Sequence, residues 1–157
     1  MFDRLSRGLR NTATIVGALS SKPKRELLAR MLAFGRALPQ QFNQPLPQMM
    51  VQLTPIGNST AGGLSPAEIR RLADAAAAWQ FSSPLGICLR RSLLRYHFLR
   101  EAGLPVGIVF GARLKDNREG GGIGGHAWLT LGDTPYYENP ADYAGFVVMY
   151  KYPSDEM

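Results

Sequence analysis

Apolar residues recur at helical spacing in the first part of the chain. In KPKRELLARMLAFGRALP they fall three or four positions apart, at Leu27, Met31, Phe34 and Leu38. This spacing predicts an amphipathic helix, and we expect Pro39 to end it. Together with the residues before this helix, residues 1–38 are predicted to form two helical segments. Residues 39–64 are rich in Pro, Gln, Asn and Gly and predict an irregular connector with a short element at Met49–Leu53.

A second predicted helix has a well-marked beginning. Ser65 is in the position of an N-cap, Pro66 suits the first helical position, and Glu68 completes a capping box. A single apolar stripe follows and is expected to lie in the core: Ile69, Leu72, Ala73, Ala76 and Ala77.

The last predicted helix lies in FSSPLGICLRRSLLRYHFLREAGLP, and strands follow it. Ser82 or Ser83 is expected to cap this helix, and Gly103 to end it. Beyond it the pattern changes, and strands are predicted in four segments: VGIVFGARL, HAWLTL, YYE and GFVVMYKY. The segment KDNREGGGIGG is expected to be a mobile loop, and GDTP a turn. Helices followed by an antiparallel sheet predict an α+β architecture.

Composition and charge fit a folded protein with one sizeable core. The chain has 157 residues, of which 45% are hydrophobic and 19% charged. Its net charge of +6 favours acidic partners, but no zinc-finger, RNA-binding or basic-repeat pattern occurs, so no nucleic-acid partner is expected. The single cysteine excludes an internal disulfide and fits a cytoplasmic protein. The basic N-terminus is interpreted as a mature segment and is a candidate for peripheral contact with an anionic membrane.

The residue spacing does not support metal or nucleotide chemistry. One cysteine and two histidines give no zinc pattern, and the carboxylates show no calcium-loop spacing. Gly120, Gly122 and Gly125 formally match a dinucleotide-binding fingerprint, but a predicted strand follows them where that fingerprint needs a helix. We therefore predict neither a metal nor a cofactor. The glycines are assigned to a loop that lets a ligand approach the backbone.

Cys88 is the strongest candidate for a reactive group. It lies in the first turns of its predicted helix, where the partial positive charge of a helix N-terminus stabilises a thiolate. Arg90, Arg91 and Arg95 follow on the same helix and act in the same direction. A lone cysteine is more often a small buried apolar residue, so its position alone does not decide its role.

A thiolate nucleophile needs a base, and the chain has two histidines. His97 is nine residues after Cys88 on the same helix, about 13.5 Å along the axis and on the opposite face, so it is expected to pack or lie at the surface. His126 opens a predicted strand. A cysteine at a helix start with a histidine on a strand recurs in papain-like and transglutaminase-like enzymes. Trp128 shares the face of His126 and is expected to shield the site from water or to pack in the core.

A third side chain would orient the imidazole, and two residues compete for that role. If the hairpin turn occupies residues 132–135, Asn139 shares the face of His126. A three-residue loop shifts the register by one position and puts Glu138 on that face. The pattern leaves both residues open.

Three segments, CLRRSLLRYHFLREAGLPVGIVFGARL, GHAWLTLGDTPYYE and FVVMYKYP, together resemble the leader peptidase of lasso-peptide biosynthesis. That peptidase is the transglutaminase-like C-terminal part of the lasso B protein. The resemblance covers residues 84–153 and rests on C-L-x-R-[SA]-L, L-R-x-x-G-x-P and x-H-A-W. It implies a transglutaminase-like or papain-like cysteine-protease fold. We expect a catalytic core at 64–157 and an N-terminal helical segment and connector at 1–63, packed as one compact unit.

The resemblance also implies an activity and partners. A cysteine peptidase of this kind removes the leader from a ribosomally made precursor peptide, and an ATP-using lasso cyclase then closes the macrolactam ring. A separate leader-recognition protein is implied, because no strand-rich N-terminal module is visible. The alternatives are another transglutaminase-like acyl transferase or amidase, and a non-catalytic peptide-binding scaffold.

The family's catalytic residues map onto three positions of this chain. The nucleophile maps onto Cys88 and the base onto His126. The acidic residue, twelve positions after the histidine, maps onto Glu138, where family members usually carry Asp. The oxyanion is expected to lie against the Cys88 backbone N–H and a second donor. The candidates for that second donor are Gln80, Ser82 and Ser83.

Overall fold

Helices precede a small sheet, as the sequence predicts. The computed structural model describes residues 12–18, 20–57, 62–80 and 82–154. The chain divides into two compact units, Met1–Leu104 and Pro105–Met157, the first helical and the second built around the sheet. The boundary expected between residues 63 and 64 stays a prediction. The basic stretch 1–11 lies outside the described residues, and no described helix is long and apolar enough to span a bilayer.

The helical unit is organised around three helices that pack on one another. Its helices are α1 over residues 12–18, α2 Lys22–Gln41, α3 Leu46–Leu53, α4 Pro66–Trp79 and α5 Ile87–Glu101. Helices α2, α4 and α5 are in mutual contact. The predicted apolar stripe of α4 is buried throughout, and so is the α2 stripe except for Phe34, which is half-buried.

The beginning of α4 confirms the predicted capping box. The Ser65 hydroxyl accepts the Glu68 N–H at 3.3 Å, and the Glu68 carboxylate accepts the Ser65 N–H at 3.0 Å. Lys24 on α2 lies 2.9 Å from the same carboxylate. Hydrogen bonds from Lys24 and then from Ser65 lower the pKa of Glu68 to about 2. One local motif therefore sets the start of α4 and ties it to α2.

Helix α2 and the connector differ from the prediction in one respect each. Pro39 lies inside α2, which continues to Gln41. The proline is therefore in the last turn, and the helix ends only two residues after it, as expected from the backbone donor that proline lacks. In the connector the short element at Met49–Leu53 is present, but it begins at Leu46. Three of its side chains are buried: Met49, Met50 and Leu53.

Helix α5 begins later than predicted. Its N-cap is Gly86, not Ser82 or Ser83. The Ser83 hydroxyl instead accepts the Leu85 N–H at 3.3 Å, a local turn that uses the side chain before the helix starts. The hydroxyls expected to cap α5 therefore belong to the segment before it.

The end of α5 is as predicted. Gly103 has a φ of +85°, a conformation that glycine adopts without strain. Its N–H donates to Arg100 O at 2.9 Å, and the Leu104 N–H donates to Leu99 O at 2.9 Å. These two bonds form a Schellman motif.

The second unit holds a four-stranded antiparallel sheet of order β3-β2-β1-β4. The strands are β1 Val106–Leu114, β2 Ile123–Leu131, β3 Thr134–Pro135 and β4 Val147–Tyr152, and a short helix, α6 Pro140–Tyr143, lies between the last two strands. Strand β1 has the predicted bounds. Strand β4 begins two residues later than predicted, and YYE after the turn is not a strand.

The glycine-rich loop is shorter than predicted. Strand β2 begins at Ile123, so Gly124 and Gly125 pair with β1. The remaining loop contains a short 3₁₀ helix, Asn117–Glu119, followed by three glycines with positive φ at 120–122. A strand does follow these glycines, which bears out the rejection of the dinucleotide fingerprint.

Candidate active site

The candidate nucleophile lies at the start of α5. Cys88 is the second residue of this helix and is half-buried. The backbone N–H groups of a helix's first turn have no acceptor within the helix, so the Cys88 N–H points away from the hydrogen-bonded body of α5. A thiol and a backbone donor on one residue suit a nucleophile whose substrate develops negative charge on oxygen.

Two of the arginines that follow Cys88 are buried and form structural contacts. Arg95 is 4% exposed and donates to both carboxylate oxygens of Asp74 on α4, at 2.6 and 2.8 Å. Arg90 is also buried and donates to the backbone oxygen of Gln80, and burial lowers its pKa. A charge-assisted pair with two parallel bonds fixes orientation, so these side chains join α5 to α4.

The candidates for a second oxyanion donor lie between α4 and α5. Gln80 is the C-cap of α4, and its side-chain amide donates to Leu32 O on α2 at 2.8 Å. That bond uses one of the two amide hydrogens. Ser82 is exposed and Ser83 half-buried, and both precede Gly86. Contacts with α2, α4 and the Arg90 side chain therefore fix the segment between α4 and α5.

His97 has the packing role that helix geometry predicted. Its Nδ1 donates to Leu53 O at 2.7 Å, and its ring stacks on Phe34 with centroids 4.3 Å apart. Burial is the main cause that lowers the pKa of His97, against a hydrogen bond that raises it. The imidazole therefore joins α5 to α3 and α2 within the helical unit.

The candidate base lies on the sheet unit, in a row of aromatic rings. His126 on β2 is half-buried, and its ring centroid lies 5.8 Å from Trp128 and 5.3 Å from Phe146. Trp128 is 5% exposed and stacks on Tyr143 of α6 at 5.7 Å. The predicted shared face of His126 and Trp128 is present. The imidazole therefore lies between two aromatic rings, which limit the orientations that it can take.

Gly111 makes room for this row. It lies on β1 directly opposite His126. A Cβ at this position would be 2.8 Å from the Trp128 ring and 3.0 Å from Phe146 Cβ, closer than packed carbon atoms approach. The missing side chain lets the indole lie across β1.

The glycine-rich loop is anchored next to the aromatic row. The Arg113 guanidinium lies 5.3 Å from the Phe146 ring centroid, within cation–π range. It also donates to the Glu119 carboxylate at 2.8 Å. This contact lowers the pKa of Glu119 to about 2 and raises the pKa of Arg113. The 3₁₀ turn is thereby tied to the end of β1.

The hairpin that was expected to place the third residue has a different geometry. Its turn is two residues long, and Leu131 pairs with Thr134, so neither predicted loop length is correct. The strand pairs end at Pro135, and Tyr137 has a left-handed φ of +53°, which turns the chain away from the ladder. Strand register therefore does not extend to the two candidates.

The two candidates for the third residue differ in what their side chains do. Asn139 is exposed, and its Oδ1 accepts the Ala141 N–H at 3.1 Å as the N-cap of α6. Glu138 is half-buried and precedes this cap. The carboxylate of Glu138 is therefore not used as a helix cap.

Sequence reasoning missed three residues that shape the surroundings of His126: Gly111, Tyr143 and Phe146. Their contacts depend on the strand register and on α6. No periodicity of apolar residues in the sequence predicts this helix. One local signal was present, because the Asn139–Pro140 pair is typical of a helix start.

No cluster of three or more His, Cys, Asp or Glu side chains suited to a metal ion occurs in the described part of the chain.

The comparison with known families gives one match. The model of the transglutaminase-like superfamily matches residues 47–151, well over half of the chain. Neither the curated proteins nor the solved structures gave a significant match. The matched stretch contains Cys88, His126 and Glu138. The superfamily includes cysteine peptidases and acyltransferases, and this chain belongs to the transglutaminase-like superfamily.

Proposed function

We propose that this chain is a cysteine peptidase that removes the leader from a ribosomally made lasso-peptide precursor, before a lasso cyclase closes the macrolactam. The observation that carries the proposal is the position of Cys88 at the second residue of α5 in a chain of the transglutaminase-like superfamily. The motifs around Cys88 and His126 support the narrower assignment to leader removal.

In the proposed mechanism His126 takes the proton of the Cys88 thiol. The thiolate attacks the carbonyl carbon at the end of the leader, and the backbone N–H of Cys88 stabilises the oxyanion. The C–N bond then breaks, and the imidazolium gives its proton to the departing amine. Water hydrolyses the thioester, which releases the leader with a free carboxylate and restores the thiol.

A second oxyanion donor would come from the segment between α4 and α5. Gln80 would use its second amide hydrogen, since the first is bound to Leu32 O. The hydroxyl of Ser83 would rotate toward the substrate while its oxygen still accepts the Leu85 N–H. We favour Gln80, because its side chain is already fixed by α2.

For the third member of the triad we propose Glu138 over Asn139. An imidazole N–H needs an acceptor that stabilises the charged ring. The Asn139 oxygen already accepts a backbone N–H and carries no charge, whereas a carboxylate supplies both the acceptor and the charge. We place Trp128 beside the imidazole as a shield against water.

The proposal also names partners and a location. The precursor peptide would be presented by a separate leader-recognition protein, and the product would pass to the lasso cyclase. We place the reaction in the cytoplasm, with the basic N-terminus available for peripheral contact with an anionic membrane. We propose no nucleic-acid partner, because Arg90 and Arg95 are buried and do not form a basic face.

The reaction products distinguish a peptidase from an acyl transferase that uses the same triad. The protein is incubated with precursor and recognition protein, with and without an added primary amine, and the products are weighed by mass spectrometry. A peptidase releases the leader as a free acid without any added amine. Leader release that requires the amine, or a dominant leader–amine adduct, would identify a transferase. Binding of the precursor without either product would identify a scaffold.

A further inference from the structure

The helical unit contains a cavity of about 340 Å³ whose polar edge includes the proposed oxyanion donor Gln80, but whose apolar walls have no role in the proposed mechanism. It lies between one face of α2 and the segment that follows α4. Leu32, Pro39, Trp79 and Pro84 give it apolar walls. Ligand cavities start at roughly 300 Å³, so this one suits a single large side chain with adjoining backbone.

The cavity also has polar groups that lack partners. The side-chain oxygen of Gln80 is fully buried, and no described residue donates a hydrogen bond to it. Arg36 lines the cavity, is exposed, and forms no ion pair with any residue in the described ranges. The exposed guanidinium of Arg36 is therefore available to an anionic group of a ligand.

Gly35 shows that the cavity depends on the local sequence. A Cβ at Gly35 would lie 2.4 Å from the Gln80 carboxamide. Only glycine lets this amide lie flat against α2, where it bonds to Leu32 O and lines the cavity.

The cavity is close to Cys88 along the chain. Pro84 lines it and precedes Cys88 by four residues, which span at most about 14 Å. An extended peptide advances roughly 3.3 Å per residue. A peptide bound at the thiol therefore places in the cavity a residue that lies within about four positions of the cleaved bond.

We infer that this cavity is a specificity subsite that binds a bulky apolar side chain of the substrate peptide, with a carboxylate on an adjacent residue paired to Arg36. The apolar walls enclose the side chain, and the exposed Arg36 guanidinium at the edge of the cavity attracts the carboxylate. This inference rests on the proposed function, since it takes a peptide as the substrate.

Direct binding tests the subsite without requiring cleavage. Three dye-labelled peptides of otherwise alanine sequence are titrated by fluorescence anisotropy into the Cys88→Ala protein. They carry Glu-Phe-Glu, Gln-Phe-Gln or Glu-Ala-Glu at the centre. We expect Glu-Phe-Glu to bind most tightly. Arg36→Glu should weaken it about fivefold, the upper end of the loss expected for a partly exposed ion pair, because the substitution replaces attraction by repulsion. It should leave Gln-Phe-Gln nearly unchanged.

Two further variants separate the subsite from general charge and apolar effects. Trp79→Ala, at a side chain that is 54% exposed, should weaken both phenylalanine peptides and not Glu-Ala-Glu. Arg25→Glu makes the same charge change on an exposed part of α2 away from the cavity and should have no effect. Equal losses with Arg25→Glu and Arg36→Glu, equal binding of the phenylalanine and alanine peptides, or no binding at all would overturn the inference.

The outcomes also separate this inference from the proposed function. Cavity-dependent binding by a protein that cleaves no precursor would keep the subsite and refute the peptidase. Precursor cleavage whose kcat/KM is unchanged in both cavity variants would keep the peptidase and refute the subsite.

Discussion

Glu138 and Asn139 are adjacent in the chain but should respond differently to substitution. Glu138→Ala removes the proposed acceptor of the imidazole N–H, and we expect precursor cleavage to slow by about 100-fold or more. Asn139→Ala removes the cap of α6 and should lower the free energy of unfolding by about 1 kcal/mol with a small effect on cleavage. Cleavage rates and urea denaturation of both variants check this. Loss of activity with Asn139→Ala alone would contradict the assignment.

Gly111 gives a second prediction, on packing around the candidate base. The methyl group of Gly111→Ala would collide with Trp128 and Phe146, and such overpacking costs about 1–3 kcal/mol. Because Trp128 contacts His126, cleavage should also slow. Gly125→Ala is the matched control on the neighbouring strand, since its added Cβ meets nothing within 4 Å. Equal losses of stability in the two variants would show that the ring contact is not what Gly111 protects.

Among the helices, α4 depends on a charged cap whose strength changes with pH. The pKa of Glu68 is about 2 in the folded protein, below its unfolded value of about 4.3. The resulting stability is fully present above about pH 4.3 and is lost as the pH falls from there toward 2. We expect Glu68→Gln to be less stable than the parent at pH 6 and to lose less stability between pH 6 and pH 3. Urea denaturation at both pH values measures this.

A control on the same surface sharpens that test. Glu26→Gln alters an exposed carboxylate on α2 that lies 3.8 Å from Lys22 and forms no helix cap. It should keep the parent's loss of stability on acidification. If Glu26→Gln and Glu68→Gln flatten the pH dependence equally, the capping box is not its source.

The elements that the sequence predicted well are those set by local interactions. The start of α4 follows from Ser65 and Glu68 alone, and the end of α5 from Gly103. The bounds of β1 follow from its run of apolar residues, which ends where the polar segment KDNREGGGIGG begins. The start of α5 was wrong because Ser83 forms a turn with Leu85 in place of a cap, and a serine supports either motif. Turn length in the β2–β3 hairpin was wrong because residue types there allow several turns.

For the whole molecule, the two leading candidates for the site could be named from the sequence, but their surroundings could not. Helix periodicity separates His97 from Cys88, which leaves His126 as the base for a nucleophile in this chain. The contacts of His126 with Phe146 and Trp128, and the role of Gly111, depend on which strands pair and in what register. No single segment of the chain contains that information.

The fold also changes how the net charge of the molecule is interpreted. The net charge of +6 suggested acidic partners, but Arg90 and Arg95 are buried and Arg113 is paired with Glu119. Arg36 remains exposed at a cavity. The net charge therefore does not by itself show which basic side chains are available to a partner.

The most direct test of the account is precursor cleavage by the parent protein and by Cys88→Ala. Both are mixed with precursor peptide and recognition protein, and leader release is followed by mass spectrometry, with circular dichroism to show that both are folded. We predict that the parent releases the leader and that Cys88→Ala, equally folded, releases none. Leader release by Cys88→Ala at the parent's rate would contradict the claim that this chain is a cysteine peptidase.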